Sequence, residues 1–250
     1  NGLAGNLGVA AAAGVTGLLI KYFGWRMAFV VPGVISVLAG IVFALAATRE
    51  HSAPAKKKAA AGEHQGMSMA KVLFIMTVAA TSGSTLFNFS TSSNFELLSS
   101  KFSDLASDPA QIGLLLAIVY TIASLNQLVI GRLIDTVALK PLYVSVVALQ
   151  LFGLIIASGA EGWLFYVAQI VFMAAIFGAI PFTDAMVVRF VDDAMRSRVS
   201  GMRLTVALGA SSLAVWLIGP VVKQAGFGAL IWVMVATSFV TFMVVNTLPK

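Results

Sequence analysis

The sequence predicts an all-α integral membrane helical bundle. Its composition says so first: 59% of the 250 residues are hydrophobic, 10% are charged, and the mean hydropathy is +0.96. A soluble domain carries about 25% charged residues. The second observation is that eight stretches contain no Asp, Glu, Lys or Arg: 1–20, 27–48, 72–95, 109–131, 141–160, 162–183, 204–222 and 224–249. The third is their length, 19 to 26 residues each. A helix needs roughly 20 apolar residues to cross about 30 Å of hydrocarbon, and barrel strands would be about half as long.

Composition also narrows the chemistry. There is no cysteine, so neither a disulfide nor a thiolate metal site is expected. The two histidines, His51 and His64, share one polar loop, which argues against His-based catalysis and zinc. No metal and no cofactor is expected. The net charge of +6 resides in loops, as membrane topology requires, and does not point to nucleic acid. Asn1 leads straight into apolar sequence without a basic n-region or cleavage site, so no signal peptide is read.

Taken in order, the first span has a small face made by Gly8, Gly14 and Gly17, and it turns at Lys21–Arg26 into the second. Residues 49–71 form the only long polar linker, and its Ala, Lys and Gly content suits a flexible tether. The third span is the most polar: in TSGSTLFNFSTSS, Thr81–Ser93, nine of thirteen positions are Ser, Thr or Asn. Ser84, Asn88 and Thr91 recur at helical spacing, with Thr85 beside them, so they line one wall of a pathway or bond a neighbouring helix. The fourth span carries Asn126 and Gln127, and only one of two adjacent residues can face inward. A charged hairpin, IGRLIDTVALKPLY, Ile130–Tyr143, follows. The fifth and sixth spans hold the lone amides Gln150 and Gln169. The sixth ends in FGAIPFTDAMVVRF, where Gly178 and Pro181 permit a kink. Asp184 there is a candidate for cation binding, proton carriage or pairing with Arg189 or Arg203. Residues 189–203 read as a loop, and the seventh span brings Gly209, Ala210, Ser211 and Trp216.

Lys and Arg fall unevenly between the two sides. Loops 49–71, 132–140 and 189–203 with Lys250 hold twelve; Lys21, Arg26, Lys101 and Lys223 are the other four. The positive-inside rule places the first group, including the linker and C-terminus, in the cytoplasm of a multi-pass cell-membrane protein, plasma or bacterial inner membrane.

An internal repeat links the ends of the chain. GLLIKYFGWRMAF from Gly17 aligns without a gap with GPVVKQAGFGALI from Gly219, matching Gly17 to Gly219, Lys21 to Lys223, Gly24 to Gly226 and Trp25 to Phe227. An offset of 202 residues across six spans implies a six-helix repeat unit, one of the patterns of transporters. Four helices are then expected upstream of Asn1.

This organisation resembles the major facilitator superfamily. Gly131, Leu133 and Asp135 fit the Gly-x-Leu-x-Asp core of that family's hairpin signature, and Lys140 falls where its basic end belongs. Thr136, Val137 and Ala138 depart from the usual pattern there. GWRMAF, Gly24–Phe29, is similar to the family's entry to helix six. The resemblance implies two six-helix halves: 1–48 ends the first, 49–71 links them, and 72–250 is the second. It implies a secondary active transporter moving a small solute by alternating access, with protons as the coupling ion and lipid as the surround. The implied pathway residues are Ser84, Thr85, Asn88, Thr91, Asn126, Gln127 and Asp184. The implied gate residues are Gly131, Arg132, Leu133, Asp135 and Lys140, with Gly131 letting two helices approach. The alternative is a non-transporting membrane sensor on the same fold. An enzyme would need a cluster of acids, His or Cys at the membrane face, and none is apparent. No phosphate-binding GxxxxGK[ST] loop occurs. Residues 1–250 alone are expected not to transport; flux above that of empty vesicles in proteoliposomes would contradict this.

Overall fold

A computed structural model describes residues 2–46, 69–102 and 108–248. The linker's Lys56–Lys58 and both histidines lie outside these residues. Seven helices follow in order: α1 (Gly2–Phe23), α2 (Met27–Ala46), α3 (Met69–Lys101), α4 (Pro109–Thr136), α5 (Leu139–Gly159), α6 (Gly162–Phe190) and α7 (Asp193–Asn246). All seven are long and apolar enough to cross a membrane. Among the described residues there is no strand.

The expected seventh and eighth spans are the two arms of α7, which meet at Gly226. At 1.5 Å per residue a straight helix of 54 residues would run about 80 Å, far beyond the hydrocarbon. α7 instead breaks at Gly226, where φ is 74° and ψ is 176°. Only glycine adopts that region without strain. Val199 of the first arm shares an apolar cluster with Val245 and Leu248 of the second. Ile218 and Val221 likewise pack with Leu230 and Ile231 near the bend. The arms therefore run antiparallel. Gly24, the repeat partner of Gly226, also has a positive φ, 81°, and joins α1 to α2.

Two other connections are shorter than charge placement suggested. α6 reaches Phe190 and α7 starts at Asp193, so the expected loop 189–203 contracts to Val191 and Asp192. Arg196 Nη2 donates to the Val188 carbonyl at 2.7 Å and its Nε to Val191 at 3.1 Å. A cation thereby satisfies carbonyls left open at a helix C-terminus. In the hairpin, helix resumes after Val137 and Ala138. Charge marks where a span leaves the hydrocarbon, not where its helix ends.

The core has two levels. One holds Phe89, Leu97, Tyr120, Phe165 and Phe177, toward the end where Lys21 and Gly226 lie. The other holds Ile75, Ile134, Tyr143, Phe182 and Val245, toward the end where Arg132 lies. Tyr143 stacks on Phe182 at 4.3 Å, binding α5 to α6. α4 lies against α1 on one side and α6 on the other, while α2 packs on α1 alone among the described elements and buries no residue. The α1–α4 seam closes on glycine. A Cβ added to Gly17 would sit 2.5 Å from the Pro109 carbonyl oxygen, and one on Gly113 would sit 2.7 Å from that of Ala13.

Gly226→Ala should destabilise the folded protein by about 1–3 kcal/mol, the cost of that backbone region for a residue with a Cβ. Gly228→Ala, in helix with no atom within 4 Å of the added methyl, should be neutral or slightly stabilising. Thermal unfolding in detergent checks the contrast.

Candidate functional site

A cavity of about 240 Å³ opens between α3, α6 and the first arm of α7, where the two core levels meet. Its walls are mostly small or apolar: Ala79, Gly83 and Phe87 from α3, Ala179 and Ile180 from α6, Leu204 and Ala207 from α7. Ser84, Thr183, Asp184 and Arg203 supply its polar groups.

α3 presents the expected stripe as a single half-buried face. Ser84, Thr85, Asn88 and Thr91 are all partly open, while Ser82, Ser90, Ser93 and Asn94 are buried. Asn88 donates Nδ2 to the Ser84 carbonyl at 2.9 Å, and Thr91 donates to that of Phe87 at 2.7 Å. These bonds use the Thr91 hydroxyl hydrogen and one of the two Asn88 amide hydrogens inside the helix. Ser84 differs: its hydroxyl lies 2.7 Å from that of Ser211, joining α3 to α7.

Asp184 and Arg203 form an ion pair, Nη2 to Oδ1 at 2.6 Å. The pair is lopsided: the Arg203 side chain is 15% exposed and that of Asp184 is 71% exposed. Arg203 Nη1 is buried and has no partner among the described residues. Arg189, the other candidate partner of Asp184, instead donates Nη2 to the Ile134 carbonyl at 3.1 Å and caps α4.

Asn126 and Gln127 point different ways, and neither lines the cavity. Asn126 donates to the Ala174 carbonyl of α6 at 2.9 Å. Gln127 accepts from Asn6 of α1 at 2.7 Å. Gln150 donates to Ser238 at 2.6 Å, so this amide joins α5 to α7. Gln169 is fully buried with both amide atoms unpartnered among the described residues.

The hairpin stands apart from the cavity. Arg132 and Asp135 are exposed, Leu133 and Lys140 half-buried. No ion pair involves Arg132, Asp135 or Lys140 among the described residues. The close approach expected at Gly131 is not found, since nothing lies within 4 Å of a Cβ placed there. α6 supplies the small residue instead: a Cβ on Gly178 would meet Asn126 Nδ2 and Ile130 Cγ1 at 3.1 Å.

A second charged contact closes the other end of the α1–α4 seam. Lys21 Nζ donates to Asp108 Oδ2 at 2.6 Å. Asp108 is also the N-cap of α4, accepting from the amides of Ala110 and Gln111, with proline at the first helical position. Asp-Pro before an apolar run is a helix-start signal, and it marks this residue in the sequence. Its pairing with Lys21, 87 positions earlier, has no local signal.

Seven helices long and apolar enough to cross a membrane, several of them joined by buried amides and hydroxyls, define a multi-pass membrane protein. The family model of the Major Facilitator Superfamily matches residues 1–103, which covers α1, α2 and α3. Over these residues the chain is similar to that superfamily, whose members are membrane transporters. No curated protein matches it.

The Lys21 ammonium beside Asp108, helped by the two helix amides, holds its carboxyl below the ordinary value of 3.8. A depressed folded value means the pair stabilises the fold above the unfolded value, and the effect is lost as pH falls through the folded one. The difference in melting temperature between the wild type and Asp108→Asn should stay level from about pH 8 to 5 and shrink only below the ordinary carboxylate range. Asp108→Ala should cost more than Asp108→Asn, because asparagine still caps the helix.

Proposed function

We propose that the protein is a secondary active transporter whose solute passes along the α3 face into the cavity between α3, α6 and α7. The observation that carries this reading is the convergence of Ser84, Thr183 and the Asp184–Arg203 pair on one cavity inside an apolar bundle. Polar groups at membrane depth are costly and collect where a solute or ion moves. Asn88 and Thr91 extend the polar face beyond it. Asn126 and Gln127 act as ties between helices that keep the cavity's frame in place. Residues 1–48 end one half of the transporter, 49–71 link the halves and 72–250 form the other. The ends of α4 and α6, with their arginines, face the cytoplasm, and Lys21 with Asp108 faces outward. The exposed Arg132 and Asp135, with the half-buried Lys140, form a gate that has no ion pair among the described residues. A proton gradient supplies the energy, which suits a cavity that holds an acid.

Solute uptake by the full-length protein in proteoliposomes, with and without an imposed proton gradient, tests this. Asn88→Ala and Ser84→Val should each lower flux about tenfold, the equivalent of one hydrogen bond. Absence of flux for every solute class from correctly folded protein would favour the sensor reading.

A further inference from the structure

We infer that the solute is a small carboxylate, which displaces Asp184 from Arg203. This rests on the transport reading of the same cavity. The pair is built asymmetrically, and the asymmetry sets the sign of the ligand. When it opens, Asp184 is left largely exposed, whereas Arg203 stays against the cavity wall. A buried unpaired charge is strongly unfavourable, so the group that most needs a replacement partner is the guanidinium. A cationic solute would leave the buried Arg203 without a partner, whereas an anionic one would leave only the exposed Asp184.

The geometry of the fork adds to this. Asp184 engages Nη2 alone, and Nη1 is buried without a partner among the described residues. A planar carboxylate can take two nitrogens of a guanidinium at once, which is stronger than a single contact. An incoming carboxylate can therefore compete with Asp184 by using the nitrogen that Asp184 leaves open. Arg203 is the only base that lines the cavity among the described residues. Ala79, Ala179, Ile180 and Leu204 provide an apolar wall for the rest of the solute, and Ser84 a hydroxyl. A cavity of about 240 Å³ suits a short chain or a single ring.

The test is a thermal-shift titration of the full-length protein in detergent. Butyrate and benzoate are the carboxylate probes; benzamide and benzylammonium are the neutral and cationic counterparts. The carboxylates should raise the melting temperature saturably, and the other two should not. Asp184→Asn removes the internal competitor. If the pair occupies Arg203 about nine-tenths of the time, that variant should lower the apparent Kd for benzoate roughly tenfold. Arg203→Gln should abolish the response. A purely structural ion pair would lower the melting temperature in both variants and leave any carboxylate response unchanged. Failure of both carboxylates to bind, equal binding of benzamide or benzylammonium, or weaker benzoate binding in Asp184→Asn would each overturn the inference. Asp184→Asn decides the matter if Arg203→Gln does not fold. Carboxylate binding without flux of any solute would remove the transport reading and leave the anion site. Flux of a neutral or cationic solute without carboxylate binding would do the reverse.

Discussion

Gly17 and Gly113 let α1 and α4 meet backbone against backbone, and α4 carries α6 on its other side. In a bilayer the lipid tails are as apolar as leucine, so hydrophobic burial does not tell one helix face from another. Close approach and polar bonds do. The glycine contact sets the distance, while Lys21–Asp108 and Asn6–Gln127 set the register toward its two ends. The other side of α4 is tied to α6 at three levels. Tyr166 donates to the Leu115 carbonyl at 2.9 Å, Asn126 to that of Ala174, and Arg189 to that of Ile134. Two of these bonds go to carbonyls of α4 itself, so its helical backbone serves as the acceptor surface.

The polar residues of the bundle divide into those that return to their own helix and those that cross. Ser90, Ser93 and Ser124 all donate four residues back along their own helices, which hides the hydroxyl in an apolar setting. Ser84–Ser211, Gln150–Ser238 and Asn94–Tyr120 cross. The first two seat the arms of α7 on α3 and α5. Asn94 also donates Nδ2 to Met173 Sδ at 3.4 Å, and its Oδ1 and both amide atoms of Gln169 have no partner among the described residues.

The spans were legible because the hydrocarbon imposes a length and forbids charge, and both constraints are local in sequence. The α3 stripe was legible for a related reason, since helical spacing alone puts Ser84, Asn88 and Thr91 on one face. Helix ends were not. Arg196 and Arg203 lie inside α7 although they looked like loop residues, because helix continues wherever carbonyls find partners outside the hydrocarbon. The partner of Asp184 was open between Arg189 and Arg203 because both are near it in sequence. Only the packing of α7 against α3 decides it, by bringing Arg203 to the cavity while Arg189 turns to α4. Gly131 shows the converse. A glycine in a signature core suggests a close contact, yet the small residue at the α4–α6 contact belongs to α6, at Gly178.

The position of Arg203 gives the cavity a mechanical meaning as well as a chemical one. α7 packs mainly on α3 and α5, and its contact with α6 is narrow. The Asp184–Arg203 bond belongs to that narrow contact, and it borders the cavity. An anion that took Arg203 would exchange a bond between two helices for a bond between one helix and the solute. α6 would lose a tie to α7 while keeping its three ties to α4. The first arm of α7, hinged at Gly226 and held to α3 by Ser84–Ser211, is then the element free to respond to occupancy. Binding and helix movement would share one arginine, which is how a site this small can bias the conformation of a whole bundle.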